Sequence, residues 1–126
     1  MVVCVIVSVL ATIGLLAYRK VIIKAKAGRA RNALSLIAQA EEIWRIDNNG
    51  AYRTISWGQT VNPRVGTAQT GVNLRAVDSD PEFAYRVTAA GMAQARNKVA
   101  LGACPVNRII QLNLVSGAWA INWCYR

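Results

Sequence analysis

The chain opens with MVVCVIVSVLATIGLLAY, residues Met1 to Tyr18, a run without one charged side chain that Arg19 and Lys20 then close. Only Ser8, Thr12 and Tyr18 carry polar groups in it. Folded as helix, about 18 residues rise about 27 Å, close to the roughly 30 Å hydrocarbon core of a bilayer. A secretory signal peptide starts with a basic stretch and ends at a small-residue cleavage site. Here Met1 enters the apolar run directly and basic residues end it. The expectation is a retained transmembrane helix.

Beyond Tyr18 the pattern changes without breaking. Residues 19–47 contain no proline and a single glycine, Gly28. Apolar residues recur at Val21, Ala25 and Gly28, then at Leu34, Ile37, Ala38, Ile43 and Trp44, which is helical spacing. Asp47-Asn48-Asn49-Gly50 is a stop signal, with Asn or Gly available for a left-handed cap. One helix is expected over residues 1–50, apolar all round over 1–18 and amphipathic over 19–50. Glu41 and Arg45 stand at i,i+4 in the favourable order, a pairing that contributes a few tenths of a kcal/mol.

Charge and cysteines point to opposite sides of a membrane. Arg19, Lys20, Lys24, Lys26, Arg29 and Arg31 follow the apolar run with no acid among them, which by the positive-inside tendency places that side in the cytoplasm. Cys104 and Cys124 flank two strand-like runs near the C-terminus. Bridged, they would stabilise the fold by roughly 3 kcal/mol and imply an oxidising compartment. Unbridged, they would be two buried thiols. Cys4 reads as a small apolar residue of the membrane helix.

Composition removes most catalytic classes. Histidine is absent, so no imidazole serves as general base or metal ligand, and three cysteines cannot complete a zinc site without a carboxylate. The glycines at 58, 66 and 71 form no phosphate-binding pattern. Asp78, Asp80 and Glu82 cluster and are either oxygen ligands for calcium or the solvated charges of a turn; with no spaced twelve-residue calcium loop, the turn is the better reading. No catalytic residue, metal site or cofactor is expected, and the chain does not read as an enzyme.

Residues 51–82 are rich in Gly, Thr, Asn, Ser and Arg, with Trp57, Val61 and Leu74 as isolated apolar points, and read as one long loop. Residues 83–126 then alternate. Phe83, Tyr85 and Val87 share a face; the stretch from Ala93 to Ala100 is weaker, with Arg96 and Lys98 on a solvent face. Ile110, Leu112 and Leu114 share another, and after a turn at Val115-Ser116-Gly117 so do Trp119, Ile121 and Trp123. Three or four antiparallel strands with one apolar face need a cover, and the amphipathic half of the long helix is the element able to supply it. The fold class is α+β.

These features resemble the type IV pilins and the related pseudopilins of type II secretion. MVVCVIVSVLATIGLLAY is similar to the hydrophobic half of a mature pilin helix, and Ala30-Arg31-Asn32-Ala33-Leu34 through Asp47-Asn48-Asn49-Gly50-Ala51-Tyr52 is similar to its end. The late cysteine pair over a β-meander resembles the pilin disulfide region. The family's basic leader, cleavage-site glycine, N-methylated phenylalanine and nearby glutamate are not in the sequence, and on the alignment Met1 follows them. Where many pilins have a helix-melting proline, Leu16 stands, leaving Gly14 or Ser8 for any unwinding.

The resemblance implies a subunit that waits in the inner membrane and is drawn by a pilus assembly machinery into an extracellular homopolymer used for adhesion, motility or DNA uptake. Val2, Val5, Ile6, Val9, Leu10, Ile13 and Leu16 would form the filament interior, and the small residues Ala11, Gly14 and Ala17 would let helices approach. A pseudopilin, or a monomeric membrane-anchored binding domain, is the alternative. The formal net charge of +9 adds a further expectation. Arg64, Arg75, Arg86, Arg96, Lys98 and Arg108 are candidate contacts for DNA or anionic surfaces, against a plain solvated surface whose charges pair with acids of neighbouring subunits.

Overall fold

A computed structural model describes residues 1–61, 70–101 and 104–124. Without an internal proline, the first segment forms one unbroken helix, α1, Val2–Asp47, 46 residues and about 70 Å long. Its apolar half holds its own polar groups. The Ser8 hydroxyl donates to the Cys4 carbonyl and the Thr12 hydroxyl to the Ser8 carbonyl, both at 2.7 Å, so neither needs an outside partner in an apolar medium. The helix ends where the sequence stops it. Asn49 and Gly50 turn left-handed at φ 56° and 85°, the Gly50 amide donates to the Arg45 carbonyl, and the Asn48 side chain donates to the Trp44 carbonyl.

Four strands follow as an antiparallel meander in sequence order: β1 (Phe83–Val87), β2 (Met92–Asn97), β3 (Ile109–Asn113) and β4 (Trp119–Asn122). Register pairs Tyr85 with Ala95 and Ala95 with Ile110, so alternate residues line one face. Phe83, Tyr85, Val87, Ala93, Ala95, Ile110 and Leu112 are buried there. α1 lies across β2 and β3, and alanines on both surfaces (Ala27 and Ala30 on the helix, Ala93 and Ala95 on the sheet) leave room for close packing. Leu34 and Ile37 fill the centre, and Trp123 meets Phe83 with ring centroids 5.7 Å apart. The chain is α+β, a long N-terminal helix half packed on a small antiparallel sheet and half projecting.

Several expectations need correction. The helix stripe that meets the sheet is Ile23, Ala27, Ala30, Leu34, Ile37 and Ala40, whereas Val21, Ala25 and Ile43 face outward. Spacing alone does not choose between two apolar faces of one helix, and the sheet took the one richer in alanine. Arg45 pairs with Glu42 at 2.6 Å rather than with Glu41, which turns into the core and accepts the Arg53 amide at 2.8 Å. β2 stops at Asn97, short of Ala100, because the Asn97 side chain is drawn inward. It donates to the Val99 and Pro105 carbonyls and accepts the Arg108 amide.

The loop also has more structure than its composition suggests. Ile55, Val61, Leu74 and Val77 are buried, a one-turn helix α2 spans Arg75–Asp78, and Ile55 exchanges both backbone hydrogen bonds with Val87 on the edge of β1. The acids at its end are not solvated. Asp80 is buried and accepts the amides of Glu82 and Phe83 and the Tyr85 hydroxyl; Glu82 takes Lys26 at 2.5 Å and Arg29 at 2.6 Å. Burial and the Asp80 carboxylate push the Tyr85 hydroxyl well above its ordinary pKa. From the residue after β4 back along the strand the alternation weakens, with Trp123 buried, Ile121 half-buried and Trp119 exposed.

Candidate functional site

Two surfaces stand apart from the core. The first is the projecting half of α1. Val2, Val5, Ile6, Val9, Leu10, Ile13, Gly14, Leu16 and Ala17 are all exposed, Leu10 by 65%. This helix is long and apolar enough to cross a membrane, and none of its most apolar window is buried within the chain. A cylinder about 10 Å wide and about 27 Å long presents on the order of 800 Å² of side surface, more than the few hundred Å² of apolar patch that a soluble monomer leaves open. Val21, Leu36, Ile43 and Ile46 continue exposed apolar surface down the side of α1 away from the sheet, within about 80° of arc.

Between the two halves of α1 lies the basic stretch. Lys26 and Arg29 are tied to Glu82 and Asp80, which anchors the loop end to the helix; Arg19, Lys20, Lys24 and Arg31 remain exposed. The cysteine pair is resolved by the structure. Cys104 and Cys124 are bridged with Cα atoms 5.4 Å apart, joining the loop after β2 to the chain after β4. Cys4 is a free, exposed thiol on the projecting helix.

The second surface is the outer face of the sheet. The candidate basic residues divide there. Arg86 and Arg96 converge on Trp57, with guanidinium carbons 4.8 and 4.5 Å from the ring centroid, a cation–π arrangement. Arg108 reaches the same face by donating to Asn122 at 3.2 Å. Lys98 turns away and donates to the Asp80 carbonyl at 2.7 Å, Arg75 opens α2, and Arg64 lies outside the described residues. Trp57, which composition marked as an isolated apolar point in a loop, is the organising group of this face.

Acids are scarce and mostly engaged. Of six, Glu41 is buried, Glu42 pairs with Arg45, Asp80 and Glu82 hold Lys26 and Arg29, and Asp78 accepts the Val61 amide. That leaves Asp47 as the exposed carboxylate available to a neighbour. Among the described residues no three His, Cys, Asp or Glu side chains gather as a metal site. Comparison with known protein families, with curated proteins and with solved structures finds no match to this chain.

Proposed function

We propose that this chain is the structural subunit of a type IV pilus-like filament, held in the inner membrane by α1 before a pilus assembly machinery adds it to an extracellular helical homopolymer. One observation carries the reading. Half of a continuous helix is apolar on every side and buried by nothing in its own chain, while the other half is locked to a disulfide-closed domain. Lipid and identical helices both satisfy such a surface, so one segment serves the waiting and the assembled state. The internal hydrogen bonds of Ser8 and Thr12 suit both media equally. The role is structural rather than catalytic, and adhesion, motility or DNA uptake is the use to which such a fibre is put.

The test is electron microscopy of fibres sheared from cells that express the chain, with mass spectrometry of the subunit. Fibres composed of this chain support the reading. Recovery of the chain solely as a membrane monomer contradicts it and favours an anchored binding domain; recovery only within a secretion complex favours a pseudopilin.

A further inference from the structure

The outer sheet face presents Ala84 and Arg86 from β1, Gln94 and Arg96 from β2, Ile109 and Gln111 from β3, and Ala120 and Asn122 from β4. Among the described residues it contains arginines, amides and the Trp57 indole, and no carboxylate. The guanidinium groups are held in place by neutral partners. Arg86 donates through Nε and Nη2 to the Gln94 side-chain oxygen at 3.0 and 2.5 Å, and Gln94 donates to Gln111 at 3.0 Å. Arg108 has the Asn122 amide oxygen, and the buried Nε of Arg96 has no hydrogen-bond partner among the described residues. Among the described residues none of these three arginines lies within ion-pair distance of an acid. Their positions are fixed and their charge is left unneutralised.

With Asp47 the one exposed acidic side chain outside an ion pair, a neighbouring copy brings one free acidic side chain against these three guanidinium groups. We infer that this face, centred on Arg86, Arg96 and Trp57 with Arg108 at its edge, binds the phosphate backbone of duplex DNA. Planar guanidinium forks match phosphate oxygens in pairs, and neutral amides such as Gln111 and Asn122 add donors to phosphate and sugar. The face lies on the opposite side of the sheet from α1 and is complete in one subunit, so it stands whether or not the chain polymerises. In a fibre cored by α1 it would recur at every subunit and bind by many weak contacts together.

The experiment uses the full chain as a monomer in non-ionic detergent with a fluorescent duplex of mixed sequence, so its outcome is separate from fibre formation. Three phosphate contacts give a slope of log affinity against log salt of about −2.7, or about a 40-fold loss between 50 and 200 mM NaCl. R86Q/R96Q lowers that slope toward about −0.9 and weakens binding at 50 mM by roughly tenfold or more, whereas the charge-matched K20Q/K24Q changes it less than about twofold. In the unmodified chain, ultraviolet cross-links from bromouracil-containing duplex fall in peptides carrying Trp57 or residues 84–96. Four results overturn the inference: affinity independent of salt, equal loss in K20Q/K24Q, cross-links confined to residues 19–31, or equal competition per charge by the polysaccharide alginate.

Discussion

Glu41 in the last quarter of α1 accepts the backbone amide of Arg53 through one carboxylate oxygen, at 2.8 Å, while its other oxygen is buried without a partner among the described residues. The contact fastens the first residues after the helix to its side and sets an ionisable group inside the core. Desolvation raises its pKa from 4.5 to about 7, the Arg53 amide and charge opposing only part of that rise.

A raised carboxylate pKa means that the folded state holds the proton more tightly than the unfolded one. Its destabilising effect is absent below pH 4.5, grows as pH rises, and is complete above about 7, at a total on the order of 3 kcal/mol. Glu41→Gln, which mimics the neutral acid, therefore stabilises the chain at pH 8 and has little effect at pH 4.5. Chemical denaturation followed at both pH values checks this; equal effects at both would contradict the assignment.

Removing the Cys104–Cys124 bridge frees a loop that includes β3 and β4. Cys104→Ser with Cys124→Ser lowers stability by about 3 kcal/mol. The far-UV helix signal of the projecting half of α1 persists, because that half makes no contact with the bridged region. Thermal melting with and without reductant should give matching losses in the native chain.

Two isoleucines about one and two-thirds turns apart along α1 separate its faces. Ile37 is fully buried against the sheet and Ile43 is 38% exposed. Ile37→Ala costs about 2–5 kcal/mol, and Ile43→Ala stays within about 1 kcal/mol for folding. If α1 packed on the sheet through the other face, the order would reverse in denaturation midpoints.

Gly91 turns β1 into β2 at φ +74°, and an added Cβ would sit 2.8 Å from the Tyr52 ring. Gly91→Ala combines left-handed strain with that overlap, and a loss of about 1–3 kcal/mol is expected. In a Tyr52→Ala background the overlap is gone and the left-handed strain remains, so Gly91→Ala costs less there than in the native chain.

Much of this fold is legible in local pattern. The proline-free run to Asp47, the Asn-Asn-Gly stop and the alternation of Phe83, Tyr85 and Val87 each state their element, because helix period, cap and strand period are local quantities. What spacing left open was which face of α1 meets the sheet, since Val21 and Ile43 make the outward side apolar too. The loop hid its order for a different reason. Ile55 and Asp80 meet partners far along the chain, Val87 for the first and Arg29 for the second. Trp57 gave no local sign of its role, because Arg86 and Arg96 meet it only once β1 and β2 pair; a tryptophan in an otherwise polar, arginine-bearing loop was the signal available.

In the proposed filament the apolar half of α1 meets copies of itself. Cys4, the free thiol on that half, reports on it directly when cells expressing the chain are treated with a short, membrane-permeant bis-maleimide and the products are separated by mass. The pilus-like reading predicts covalent dimers from sheared surface material, lost in Cys4→Ser. Monomers alone, with Cys4 fully alkylated, would contradict it.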